Sequence, residues 1–343
     1  MGKVRSILAR ASAPRVFIPV AVAVVAVVAV IALLIVPRRG GSPKATPRPT
    51  PSPTRHVARQ LLSPFTGEPV KSLGPVLAVK IDNIAAARPP TGLTDADIVY
   101  LLPVEGGLSR ILAIFSTHFP PVIGPVRSSR EDDLELLRQF GRPAFAYSGA
   151  QPQLVPVVHN ARIVDLYAGI VGGYFRDPNR LAPHNLYAHT QQLLAEAHGA
   201  STAHNIGFRF GPPPADGTVT ASASAAYSAA SFTFRWSAAK AKWLVWMDGT
   251  PAGTTEDGQL SAATVVIQYT TVRTSRFLEE GVPPPYAETT GSGPALVLRD
   301  GKEWHANWSR PNANGGTTFT TTTTTRQPMT FARGQVWIVL AAR

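Results

Sequence analysis

Apolar residues along this 343-residue chain fall into short runs closed by turn-forming residues. PVLAVKID (Pro75 to Asp82), ADIVYLLPVEGG (Ala96 to Gly107) and LSRILAIF (Leu108 to Phe115) are strand-length runs rich in branched aliphatic side chains. The spacing changes between Glu131 and Phe140, where Leu134 and Leu137 share one face of a helix that Gly141 stops, and PAFAYSG returns as a strand. After Gly207 the chain turns to short β-type segments, FTFRW, KWLVWMD, ATVVIQYT, PALVLRD and QVWIVL, separated by Gly, Pro and Asp. The pattern predicts an α+β chain: a mixed α/β amino-terminal subdomain over 70–206, then a mostly β carboxy-terminal subdomain over 207–343. TTFTTTTTTR (Thr317 to Arg326) reads as an edge strand or loop.

The amino terminus follows another rule. Val16 to Val36 carries no charge and, at ~1.5 Å per residue, covers ~31 Å, the thickness of a hydrocarbon layer. It is longer than the ~7 to 15 apolar residues of a signal peptide, and PRRGGSP offers no small-x-small cleavage site. The expectation is an uncleaved transmembrane helix over 16–36, preceded by a basic cytoplasmic tail over 1–15. Basic residues flank both ends, so their bias does not set the orientation. Six prolines between Pro37 and Pro53 make 37–69 an extended spacer, which favours an extracytoplasmic body on a single-pass cell-membrane anchor.

Composition narrows the function classes. The net charge of +12 is concentrated at the start: ten of the 33 Lys and Arg precede residue 60, where there is no acid. The remainder is nearly balanced, so no nucleic-acid partner is expected. A hydrophobic content of 44% suffices for a substantial core. The absence of cysteine removes disulfides, thiolate metal sites, a Cys nucleophile and a lipid-modified amino-terminal Cys.

IGPVRSSRED (Ile123 to Asp132) carries the clearest candidate chemistry. Ser128 and Glu131 have capping-box spacing. Arg127 and Arg130 oppose the helix dipole there and need negative partners. Glu131, Asp132 and Asp133 could neutralise them locally. Alternatively, the helix start and two guanidinium forks bind a phosphate or carboxylate. Asp82, Asn83, Glu105 and Arg110 lie where apolar runs end, the usual place for a site. Their structural readings are a self-bonded turn at Asp82 and Asn83, and a Glu105–Arg110 salt bridge.

Enzyme motifs are weak. Ser237 and Lys240 have the S-x-x-K spacing but read as a hairpin turn between FTFRW and KWLVWMD. The histidine spacings do not make a helical zinc motif, although Asp82, Glu105 and His184 from distant segments remain conceivable metal ligands. No cofactor is expected. Most of the six tryptophans, all in the second half, read as core or cross-strand pairs.

The ordered segments LAVKIDN, ARPPTGLTDADIVY, VEGGLSRILAIF, IGPVRSSR and FRDPNRLAPHNLY, followed by TVVIQYT, TGSGPALVLRDGKEWHANWSR and FARGQVWIVL, resemble the YerB-like family, a domain of unknown function on bacterial envelope lipoproteins. The resemblance implies an extracytoplasmic two-part α+β fold and no known reaction. It marks the strand-end residues above together with Arg88, Arg176, His184 and Asn185. This chain departs from the family in lacking a lipidated Cys, in Leu101 where an acid is usual, and in YSGAQP where a His-Ala-Gly-Gly type turn is preferred. The first departure exchanges a lipid anchor for the expected helix.

Two function classes follow. The first is a non-catalytic envelope module that binds an anionic wall component or a membrane partner of the wall-synthesis machinery, with Asp82, Asn83, Arg88, Glu105, Arg110, Arg127, Ser128, Arg130, Arg176, His184 and Asn185 converging on one polar cleft. The second is an enzyme acting on phosphate-linked envelope polymers, an analogy of architecture. The oligomeric state is left open.

Overall fold

A computed structural model describes residues 60–343 except Asp257 and Glu280. The basic tail, the apolar segment over 16–36 and the Pro-rich residues up to 59 lie outside the described residues. Strand occupies 42% of what is described and helix 11%, so the architecture is mostly β and the α+β expectation holds only in part.

The core is one large mixed sheet. Its main strands are β1 (Leu77–Asp82), β2 (Ile98–Pro103), β3 (Ser109–Phe115), β4 (Ala144–Tyr147), β5 (Val164–Tyr167), β6 (Thr264–Thr270), β7 (Gly291–Arg299), β8 (Lys302–Arg310), β9 (Thr318–Thr321) and β10 (Val336–Ala342). Across the sheet they run β9-β8-β7-β6-β10-β2-β3-β1-β4-β5. The parallel pair β2–β10 joins the two parts of the chain, with Tyr100 opposite Ile338. The Thr-rich stretch supplies β9 at one edge, paired with β8.

The central strands β1, β2 and β3 are buried along their whole length because both faces of the sheet are covered, which is why their runs read as continuously apolar. One face packs on α1 (Glu131–Leu137) and α2 (Val155–His159) through Leu136, Leu137, Phe140 and Val158. The other face receives a meander over 222–251, whose strands alternate in burial and present Phe232, Phe234, Trp243 and Val245 inward. Phe234 meets Trp337 of β10 edge-on, with ring centroids 6.2 Å apart. Ser237 pairs with Lys242 across the hairpin, so Ser237 and Lys240 bracket a turn rather than open a helix. Trp243, Trp304, Trp308 and Trp337 are buried, and Trp236 faces Trp243 across the same hairpin.

At one edge the segment Pro125 to Ser129 wedges between the carboxyl ends of the parallel strands β1 and β4. Arg127 N–H donates to Lys80 O at 2.8 Å, Asp82 N–H to Pro125 O at 2.8 Å, and Ser129 N–H to Gly149 O at 2.8 Å. That wedge fixes where α1 can begin, and it carries the arginines of the candidate site.

Candidate functional site

Asp82 closes β1 with its side chain only 1% exposed. Its Oδ2 lies 2.7 Å from His184 Nδ1 and 3.1 Å from Arg127 Nε. The Arg127 contact is an ion pair rather than a directed hydrogen bond, since that buried Nε lacks hydrogen-bond geometry to any described group. Arg127 is 24% exposed and His184 18%. Both therefore stand between a buried carboxylate and solvent. The expectation of a self-bonded turn at Asp82 is met only by a marginal 3.5 Å contact from Ile84 N–H to Oδ1. Asn83 instead donates to Ser109 Oγ at 2.8 Å, and its carbonyl accepts from Arg88 Nε at 3.0 Å.

Beside this group, Arg130 grips both oxygens of Glu105 in a bidentate pair, its terminal nitrogen 2.9 Å from Oε2. A second carboxylate, Glu279, sits 3.2 Å away. Glu105 is presented by the turn Glu105–Gly107, where Gly106 and Gly107 take φ of 66° and 70°, values that glycine adopts without strain. Burial alone would raise the Glu105 pKa, but Arg130, with Arg110 beside it, holds it below the ordinary range. The anticipated Glu105–Arg110 salt bridge is thus replaced by Glu105–Arg130. Arg110, opposite Asp82 across β1 and β3, donates to Ser128 O at 3.2 Å. Its pKa is lowered to about 10 by burial, and by the like charges of Arg130 and Arg127.

The capping expectation is corrected in register. Glu131 opens α1 with Arg130 as N-cap, and Arg130 N–H donates to Asp133 Oδ2 at 2.7 Å. Ser128 lies within the wedge, whose backbone pairing ends too late for Ser128 to cap. Nor do the three acids in the first turn of α1 neutralise the Arg127 or Arg130 side chain. Glu131 accepts from Ser275 and Arg276, Asp132 from Ala287 N–H, and Asp133 from Lys80. A helix of seven residues, just under two turns, is too short to offer an anion site of its own.

The structure brings Asp82, Arg127 and His184 into direct contact, and holds Glu105, Arg110, Ser128 and Arg130 alongside. Asn83 and Arg88 form a neighbouring pair that reaches Asp248 through Arg88, at 2.7 Å. Arg176 and Asn185 bond to each other at 2.7 Å, and Asn185 Nδ2 also holds Asp177 O and Arg180 O. These two therefore shape the loop that carries His184. Among the described residues no group of three or more His, Cys, Asp or Glu side chains could hold a metal, so Asp82, Glu105 and His184 do not make a ligand set.

Behind the site lies a buried ionic group that motif reading missed. Lys80 and Asp133 pair at 2.6 Å, both fully buried. Neighbouring Asp132 has an unpartnered Oδ1, and its pKa is pushed up to about 7 by burial and by the Asp133 carboxylate. The one available signal was a lysine in the middle of the apolar run LAVKID.

The segments that build this site are those matched by two family models, "Protein of unknown function (DUF3048) N-terminal domain" over residues 65–203 and its C-terminal domain counterpart over 223–338. The chain belongs to the DUF3048 family. Its YerB-like character is shown by two further likenesses. The first is to "Putative lipoprotein YerB" of Bacillus subtilis (strain 168), 40% identical over 99 residues. That stretch covers 28% of this chain and only 29% of the relative's length. The second is to the crystal structure of the YerB protein from Bacillus subtilis, with a TM-score of 0.69 at 20% identity, covering 82% of this chain and 96% of that one. At that identity the likeness is one of fold.

The comparison corrects the expected anchor. The curated relative is described as a lipoprotein. Among the described residues no helix is long and apolar enough to cross a membrane, and Val16 to Val36 lies outside them. Transmembrane attachment and the single-pass cell-membrane location are therefore not supported.

Proposed function

We propose that this chain is an envelope-associated protein that binds a carboxylate- or phosphate-bearing wall component through the Asp82–Arg127–His184 cluster. Envelope association is suggested by the relative's description as a lipoprotein. The observation that carries the binding reading is the unequal use of the two arginines. Arg130, 3% exposed, is committed to Glu105 and Glu279, whereas Arg127 is 24% exposed and pairs with Asp82 at 3.1 Å from Nε without a directed hydrogen bond. The outer edge of the Arg127 guanidinium can therefore accept an anion in the forked geometry that arginine favours. Arg110, Arg127 and Arg130 are matched in number by Asp82, Glu105 and Glu279, so what an incoming anion meets is the exposed edge of Arg127 rather than a net excess of positive charge.

The test is calorimetric titration of the full chain with inorganic pyrophosphate at low salt. Binding that weakens at least tenfold in Arg127→Gln supports the reading, and equal binding by the two proteins defeats it. One observation favours the enzyme alternative. With Asp82 accepting from His184 Nδ1, the neutral ring presents Nε2 as a proton acceptor. On that reading a phosphodiester substrate turns over in the wild type and not in His184→Gln, while binding persists in both. Absence of turnover leaves binding alone.

A further inference from the structure

Away from the Arg127 cluster, a groove of about 700 Å³ runs along the exposed face of α1. Glu131, Leu134, Glu135 and Arg138 recur at the spacing of one helical face and form one wall. Residues 156–162, on and after α2, form the second wall, and Arg276 with Tyr286 the third. The floor is apolar: Leu134 and Ala161 are partly buried, Tyr286 contributes the accessible edge of a buried side chain, and Val157 is 38% exposed.

The charges around this groove are unevenly used. Glu131 accepts from Ser275 Oγ at 2.7 Å, Arg276 N–H at 3.2 Å and Arg276 Nε at 2.7 Å. Glu135 accepts from Thr289 N–H at 2.9 Å, Thr289 Oγ1 at 2.8 Å and Thr290 N–H at 3.1 Å. Both acids are thus satisfied by the protein wall. The arginines are not. Arg276 is 71% exposed although Nε holds Glu131. Arg138 is exposed and, among the described residues, its side chain bonds the Asn314 amide oxygen alone, at 3.0 Å. Arg162 is exposed, and among the described residues neither it nor Arg138 has a carboxylate partner.

We propose that this groove docks an acidic segment of a partner protein, its apolar side chains on the Leu134–Val157–Tyr286 floor and its carboxylates on Arg138, Arg162 and Arg276. The three guanidinium groups stand on three different elements around the rim, which suits a chain with several spaced carboxylates better than one compact anion. An open groove lined by residues of several elements takes an extended peptide along its length, with apolar and charged side chains on separate groups of lining residues. The site shares no side chain with the Arg127 cluster, and either can fail without the other.

The test is selection of a random phage-displayed peptide library on the purified full chain, followed by fluorescence-polarisation affinities against wild type and Arg138→Glu/Arg162→Glu. The expected result is enrichment of peptides with at least two Asp or Glu interleaved with large apolar residues, bound at least tenfold more weakly by the double variant at an unchanged melting temperature. Val157→Ser, which leaves the charges in place, weakens the same peptides if the floor is used, and serves as the reading if the double variant does not fold. No enrichment, enrichment without acids, or equal binding by the folded variants overturns the proposal. So does co-sedimentation with phosphatidylglycerol vesicles that depends on these arginines in the absence of peptide binding, which would make the rim a membrane contact.

Discussion

Lys80 Nζ lies 2.6 Å from Asp133 Oδ1, and neither side chain has any exposure to solvent. This buried pair ties the middle of β1 to the first turn of α1, directly behind the wedge that carries Arg127. Removing one partner strands a charge in the interior, which costs far more than the pair contributes as a unit. Lys80→Met is expected to lose about 3–5 kcal/mol in urea unfolding. The double substitution Lys80→Met/Asp133→Leu should recover most of that loss, and no recovery would mean the two groups are not coupled.

Asp132 gives the fold a pH dependence of definite sign. Burial and the Asp133 carboxylate raise its pKa to about 7, well above the ordinary 3.8. The folded state therefore holds a proton that the unfolded chain releases earlier. This contribution is fully present below about pH 4 and is lost as pH rises through 7. Asp132→Asn keeps the shape without the proton. Its stability relative to wild type should increase by roughly 2 kcal/mol between pH 5 and pH 8, and a difference independent of pH would show that Asp132 does not titrate there.

The two arginines flanking the serines should separate in stability as well as in binding. Arg130→Met leaves Glu105 and Glu279 without their cation, an expected loss of about 1.5–3 kcal/mol for charge-assisted hydrogen bonds of a buried guanidinium to carboxylates 19% and 27% exposed. Arg127→Gln leaves Asp82 its His184 contact, and a quarter-exposed pair costs about 1 kcal/mol or less. Chemical denaturation of both variants decides, and equal losses would contradict the division of labour.

Phe234 is wholly buried against Trp337 and holds the meander to the sheet. Phe234→Ala is expected to cost about 3–5 kcal/mol. Hydrogen exchange should rise first in residues 222–251, and uniform loosening of the whole sheet would refute local attachment.

The strands at Leu77–Asp82, Ile98–Pro103 and Ser109–Phe115 were legible because doubly covered strands leave unbroken apolar runs. The β2–β10 pairing was not, since Tyr100 and Ile338 meet through tertiary packing that no local pattern encodes. The same holds for the site. Residue types at strand ends pointed to Asp82 and Glu105, and the helix-start motif to Arg127, but Asp82 and His184 are 102 residues apart, and their contact depends on how the loop around Asn185 is held. The cap was misread for a physical reason. Two registers of the same motif overlap at Ser128–Glu131 and Arg130–Asp133. The better capping residue loses because the Arg127–Ser129 backbone is already paired to Lys80, Ser148 and Gly149.

The claim that Arg127 is the anion-accepting group is tested most directly by following arginine Nε–Hε resonances of the full chain by NMR as inorganic phosphate is added at low salt. The account predicts a saturable shift of the Arg127 resonance, with Arg130 nearly still in its pair with Glu105. An Arg127 resonance that does not move while others do, or movement of all arginines in proportion to ionic strength alone, would contradict it.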